Sequence, residues 1–146
     1  MQLEYIKLDS HLNNHELHYA SAEAAGVDLL ACIPAALTLL AGETHLVPSG
    51  IAIVLPPSTM AMICPRSGLG HKHGIILGNS VGIVDADYRG QIFISLWNRS
   101  STPYTIQPYD RVAQLIVVPI VRAQWVAVEQ LPTTIRGDGG FGSTGS

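Results

Sequence analysis

His45-Leu46-Val47-Pro48-Ser49-Gly50-Ile51-Ala52-Ile53-Val54-Leu55-Pro56-Pro57 reads as strand and turn rather than helix. Its apolar residues are mostly valine, isoleucine and leucine, and prolines and a Ser-Gly pair interrupt it. The same texture recurs on both sides. Tyr5–Leu8, Val27–Ile33, Met60–Cys64, Gly74–Leu77, Gln91–Trp97, Tyr104–Ile106, Val112–Val121 and Trp125–Val128 join His45–Leu55 as expected strands. Breaks such as Pro34, Asn79-Ser80 and Pro108 fall roughly every ten residues, a spacing that suits an all-β sandwich or barrel. Helix competes only at Ala20–Ala25 and Ala35–Leu40, both short, and Pro34 would interrupt anything longer. One or two helical turns are expected after Arg66.

With 146 residues, the chain is of single-domain size and can bury a core without disulfide or metal staples. Charged residues make up 13% of it, against ~25% in an average soluble domain, and hydrophobic residues 47%. So thin a polar shell implies that another subunit covers part of the surface. A formal charge of −3 argues against nucleic acid as a partner, which would want a basic face. The uncharged stretches Leu29–Gly42 and Gly50–Pro65 are shorter than the ~18 apolar residues of a membrane span and contain proline. The start, MQLEYIKLDS, lacks the basic and apolar regions of a secretory signal. Cys32 and Cys64 lie in apolar stretches without a Cys-x-x-Cys spacing, so two buried thiols in a reducing, cytoplasmic compartment are expected.

Candidate chemistry concentrates beside glycines. In Pro65-Arg66-Ser67-Gly68-Leu69-Gly70 an arginine and a hydroxyl follow a strand, and glycine lets backbone N–H groups approach a ligand. Arginine adds a bidentate donor for phosphate oxygens; an ordinary strand-to-helix turn would look similar. In Asn79–Gly90, Asp85 and Asp87 would share a face of a regular strand. Asp85 could act as a general base on a bound water, Tyr88 could pack on a sugar, and a plain hairpin supported by Asp87 is the simpler alternative. Arg136–Ser146 has five glycines in eleven residues. Such a tail buries too little to hold itself in place, so it should be mobile until a ligand orders it. Its Gly137-x-Gly139-x-x-Gly142 is no dinucleotide fingerprint, because too few residues follow to form a helix. Arg136, Phe141, Ser143 and Thr144 could instead close over a nucleotide. His71-x-His73 is a weak zinc pattern, with no ordered Cys/His set elsewhere.

Taken together, these residues resemble the homotrimeric dUTPases. Five motifs occur in that family's order: Ala25-Gly26-Val27-Asp28-Leu29, Pro65–Gly70, Gly82–Gly90, Arg111-Val112-Ala113-Gln114-Leu115, and Arg136–Gly145. The likeness also runs through His71–Asn79 and Gln91–Asn98. It implies an all-β, jelly-roll-like barrel of the dUTPase β-clip type with one short helix, spanning residues 1–135. A flexible glycine-rich arm, residues 136–146, would close over an active site. It further implies a homotrimer with sites shared between subunits and hydrolysis of dUTP to dUMP and pyrophosphate, which would lower dUTP and supply dUMP for thymidylate synthesis.

By the same resemblance, Asp85 would orient the attacking water and Tyr88 would exclude a ribose. Asn79 and the hairpin backbone at Gly82, Val84, Gln91 and Ile92 would read the uracil. Arg66, Ser67, Gly68 and Gln114 would hold phosphates. Phe141 and Gly142 would cover the base, and Arg136, Ser143 and Thr144 would take the terminal phosphate. Asp28 would help position Mg2+ through water, an ion that suits bridging phosphate oxygens with few protein ligands.

Two rivals share parts of this pattern. A dCTP deaminase of the same fold would want a glutamate in the strand after the third motif, where this chain has Ser95. A nucleotide-sensing interaction protein would not need Asp85 and the tail together.

Overall fold

The computed structural model describes residues 2–140. Eleven strands and one helix follow in order: β1 Glu4–Lys7, β2 Val27–Leu30, β3 Leu37–Leu39, β4 Thr44–Pro48, β5 Ile51–Val54, β6 Thr59–Pro65, α1 Ser67–His73, β7 Ile75–Leu77, β8 Gly82–Val84, β9 Phe93–Asn98, β10 Tyr104–Ile106 and β11 Arg111–Pro119. A 3-10 turn at Ser10–Asn14 follows β1, with Asp9 as its N-cap. All named pairings are antiparallel.

The strands fall into a four-stranded sheet ordered β2-β11-β6-β8, a three-stranded sheet ordered β4-β9-β7, and the pairs β1-β5 and β3-β10. The all-β reading therefore holds, although the described strands form four sheets rather than one closed barrel. Between them Leu29, Leu39, Val47, Ile75, Leu77, Ile94, Leu96 and Ile106 are fully buried. Asn98 is the large polar residue in this core. Its Nδ2 donates to the carbonyls of Leu39 at 3.0 Å and Thr102 at 2.8 Å, and its Oδ1 accepts from Ser100, so its burial leaves nothing unpaired.

Several boundaries differ from those read in the sequence. His45–Leu55 is two strands, because Gly50 sits at φ +72 and turns the chain from one sheet into another. A side chain there would also meet Leu12 Cδ1 at 2.5 Å and Cys32 Sγ at 2.6 Å. Leu37–Leu39, a possible helix by sequence, pairs with β10 instead. The run Gln91–Trp97 enters its sheet only at Phe93. Trp125–Val128 forms no strand. It lies in an extended stretch where Val121, Trp125, Val126, Val128, Leu131 and Ile135 are all exposed, Trp125 at 94%.

Both cysteines are free. Cys32 is buried, and its S–H donates to Asp9 Oδ2 at 3.4 Å. Burial, then that carboxylate, push the Cys32 thiol up to about 11, so it stays protonated and unreactive near neutral pH.

Candidate active site

Arg66 and the start of α1, the facing parts of β2 and β11, and much of the chain from Asn14 to Gly26 line a cavity of about 720 Å³. Asp28, Arg66, Ser67, Gly68 and Gln114 line it, so residues from three separate motifs converge there. The register explains why. Gln114 on β11 stands opposite Asp28 on one side and Cys64 on the other, a single row across the sheet. Arg66 follows directly where β6 ends.

Gln114, Asp28 and Arg66 each have a defined partner. Gln114 Nε2 donates to the Pro65 carbonyl at 3.0 Å. Asp28 Oδ1 pairs with Arg66 Nε at 2.9 Å, and Arg66 NH1 donates to the Arg111 carbonyl at 3.0 Å. Gly26 packs so tightly against this row that a Cβ would lie 3.0 Å from Gln114 Oε1. Arg66 is the N-cap of α1 and makes no side-chain capping bond, while Ser67 and Gly68 are exposed at the cavity.

The hairpin that carries the expected base-reading and water-orienting residues is elsewhere. Gly82 stands opposite Ile63 and Val84 opposite Ala61, which brings Asp85 level with Met60. At ~3.3 Å per residue, the step from Met60 to Arg66 is about 20 Å of strand. Asp85 is exposed, and its carboxylate has no hydrogen-bond partner among the described residues. Tyr88 folds back over Gly90. A Cβ there would collide with the Tyr88 hydroxyl, which donates to the Gln91 carbonyl at 3.0 Å. β8 is an edge strand of its sheet, so part of its backbone is open to a ligand. Asn79 is exposed in the preceding turn.

Gln91 and Ile92 are committed to the fold. Gln91 Oε1 accepts from the Gly50 N–H at 3.0 Å, and Ile92 is buried with its N–H donating to the Ile51 carbonyl at 2.9 Å. Arg136 is exposed, with its Nε donating to the Gly139 carbonyl at 2.9 Å. Phe141, Gly142, Ser143 and Thr144 lie outside the described residues.

The donor set discriminates between kinds of metal site. Among the described residues no group of three or more His, Cys, Asp or Glu side chains is arranged to hold an ion. Of the carboxylates lining the cavity, Glu16 is taken by the Tyr5 hydroxyl and Lys7 Nζ, each at 2.6 Å. Asp28 Oδ1 is taken by Arg66, and Oδ2 has a looser partner, Arg111 NH1 at 3.5 Å. These residues form no cage for a resident ion; an oxygen-loving ion such as Mg2+ that keeps most of its waters fits such a donor set.

Arg111 also lines this cavity. It belongs to a quoted motif, but on a regular strand it would point away from Gln114, three residues on.

A family model described as dUTPase matches residues 13–145. A deoxyuridine 5'-triphosphate nucleotidohydrolase from Thiobacillus denitrificans is 56% identical over 139 residues, 94% of this chain and 95% of that protein. One from Burkholderia lata is 52% identical over 146 residues, covering 99% of each. Among solved structures, a dUTPase variant from Staphylococcus bacteriophage 80alpha with dUpNHpp has a TM-score of 0.88 at 21% identity, over 99% of each chain. A variant dUTPase from phage phi11 of S. aureus, described with a structural Mg(II) ion, has a TM-score of 0.81 at 19% identity, over 91% of this chain and 100% of that one. At those identities the likeness concerns the fold.

Proposed function

This chain belongs to the dUTPase family and hydrolyses dUTP to dUMP and pyrophosphate; from that premise we propose how its residues divide the reaction. Arg66, Ser67, Gly68 and Gln114 bind the phosphate chain. Asp85 accepts the proton of a water that attacks the α-phosphorus, and pyrophosphate leaves. Tyr88 packs on the deoxyribose where a 2′-hydroxyl would clash. Asn79 and the edge of the hairpin at Gly82 and Val84 read the uracil; Gln91 and Ile92 support that hairpin from behind. Asp28 would help hold a nucleotide-bound Mg2+ through water, and that ion would supply neutralisation of phosphate charge.

One observation carries the arrangement: the phosphate residues share a cavity, while Asp85 lies about 20 Å of strand away in the same chain. A base must come within hydrogen-bond reach of its water, so the site is completed by the Asp85 hairpin of another copy. The large apolar side chains exposed along 121–135 support coverage by another copy, as a homotrimer would provide, because a monomer would leave them in water. Residues 136–146 form the arm, with Phe141 and Gly142 over the uracil and Arg136, Ser143 and Thr144 on the terminal phosphate. No helix among the described residues is long and apolar enough to cross a membrane. We place the enzyme in the cytoplasm, consistent with its two free thiols.

Two measurements bear on this reading. Product analysis with Mg2+ should show turnover of dUTP far ahead of dCTP, dTTP and UTP; equal turnover of dUTP and UTP would remove the sugar gate from Tyr88. Light scattering on an active sample should give the mass of three chains, and a mass of one or two chains would contradict the shared site.

A further inference from the structure

We propose that Arg111 is a positioning residue of the phosphate site, delivered by a β-bulge to offset the charge of Asp28 so that Arg66 remains available to phosphate. Arg111 stands opposite Leu30 and Ala113 opposite Leu29, so β11 advances two residues where β2 advances one. The extra residue reverses the alternation of side chains. Val112 and Ala113 are consequently both buried, and Arg111 emerges on the face that carries Gln114 and Asp28. The bulge is anchored from its N-terminal side. Tyr109 sits in the left-handed region at φ +65, its N–H donates to the Ala31 carbonyl at 2.7 Å, and the Ala31 N–H returns to the Asp110 carbonyl at 2.8 Å.

The consequence is electrostatic. Asp28 touches both guanidiniums, Arg66 Nε at 2.9 Å and Arg111 NH1 at 3.5 Å, and the Arg111 carbonyl holds the far side of the Arg66 head at 3.0 Å. An Asp28–Arg66 pair alone sums to zero and offers little to a polyanion. Arg111 makes the trio net positive, and guanidinium does not deprotonate in proteins. Its side chain is 63% exposed, so it acts in solvent, where salt screens it. The inference rests on the phosphate-site reading given above.

The test compares wild type with Arg111→Met, which keeps the stem and loses the charge, and Arg111→Lys, which keeps the charge. Steady-state dUTP kinetics and calorimetry with inorganic pyrophosphate are read at low and high salt. Arg111→Met should raise KM about tenfold with kcat within about threefold, because the charge acts on ground state and transition state alike. Pyrophosphate affinity should fall in parallel, both effects should shrink at high salt, and Arg111→Lys should recover most of the loss. Wild-type KM and pyrophosphate affinity in Arg111→Met would overturn the inference. Equal damage in both variants would also overturn it, since the bulge's shape rather than the charge would then matter. A wild-type protein that turns over dUTP but binds no pyrophosphate at this row would instead defeat the phosphate-site reading beneath it.

Discussion

Asp85→Asn should leave the fold and dUTP binding in place and lower turnover by about 10²–10⁴-fold, the usual worth of a positioned base. Asparagine keeps the shape of the side chain and can still hydrogen-bond a sugar hydroxyl, but it cannot take a proton. The structure gives the substitution little else to disturb. Asp85 is exposed just beyond β8, and its carboxylate holds no other described residue in place. The turn is closed by backbone, the Tyr88 N–H donating to the Asp85 carbonyl at 3.2 Å. Circular dichroism and calorimetry with a non-hydrolysable dUTP analogue should therefore match wild type, while single-turnover rates collapse. A variant with near-full activity would rule Asp85 out as the base.

Cutting the chain before Arg136 should give the second large loss. Melting temperature should barely move, because the described part of the removed segment makes only local contacts: Arg136 Nε to Gly139, and the Gly137 N–H to Thr134. Among the described residues the buried core ends at Leu115. Activity should nonetheless fall steeply. Fixing this glycine-rich segment costs ~1–2 kcal/mol of backbone entropy per residue, which a multiply charged triphosphate can offset and a smaller ligand cannot. Closure then excludes water and aligns the phosphates, effects realised mostly in the transition state. The turnover number should drop more than dUTP affinity does. Phe141→Ala should give a milder form of the same loss. Full-length rates from the truncated protein would make the arm a bystander.

The fold was legible where residue texture and punctuation coincide. Short Ile-, Val- and Leu-rich runs between prolines and Asn-Ser or Ser-Gly pairs became strands, and Ser67–His73 became the short helix expected after Arg66. What the texture could not tell was partnership. Pro48-Ser49-Gly50 punctuates one apolar run whether the chain continues in its sheet or crosses to another, and only the left-handed Gly50 decides. Trp125–Val128 has strand composition but no partner strand among the described residues, because an apolar run reports what must be covered and not which chain covers it.

The site divides in the same way. Motif order pointed to Asp28, Arg66, Ser67 and Gln114, and the row across β2, β11 and β6 brings them together. Strand alternation hid Arg111, since the bulge that re-aims it has no sequence mark of its own. The resemblance gave Asp28 a water-mediated role toward Mg2+, and motif order alone did not show the two arginines that touch it directly.

The most direct test of the account is hydrolysis of dUTP by the purified protein with Mg2+ in water enriched in oxygen-18, with the products separated and weighed by mass spectrometry. Water attack on the α-phosphorus places one heavy oxygen in dUMP and none in the first-formed pyrophosphate. Label in pyrophosphate would mean attack at the β-phosphorus and would leave the proposed placement of Asp85 without support. Failure to release dUMP at all would contradict the reaction itself.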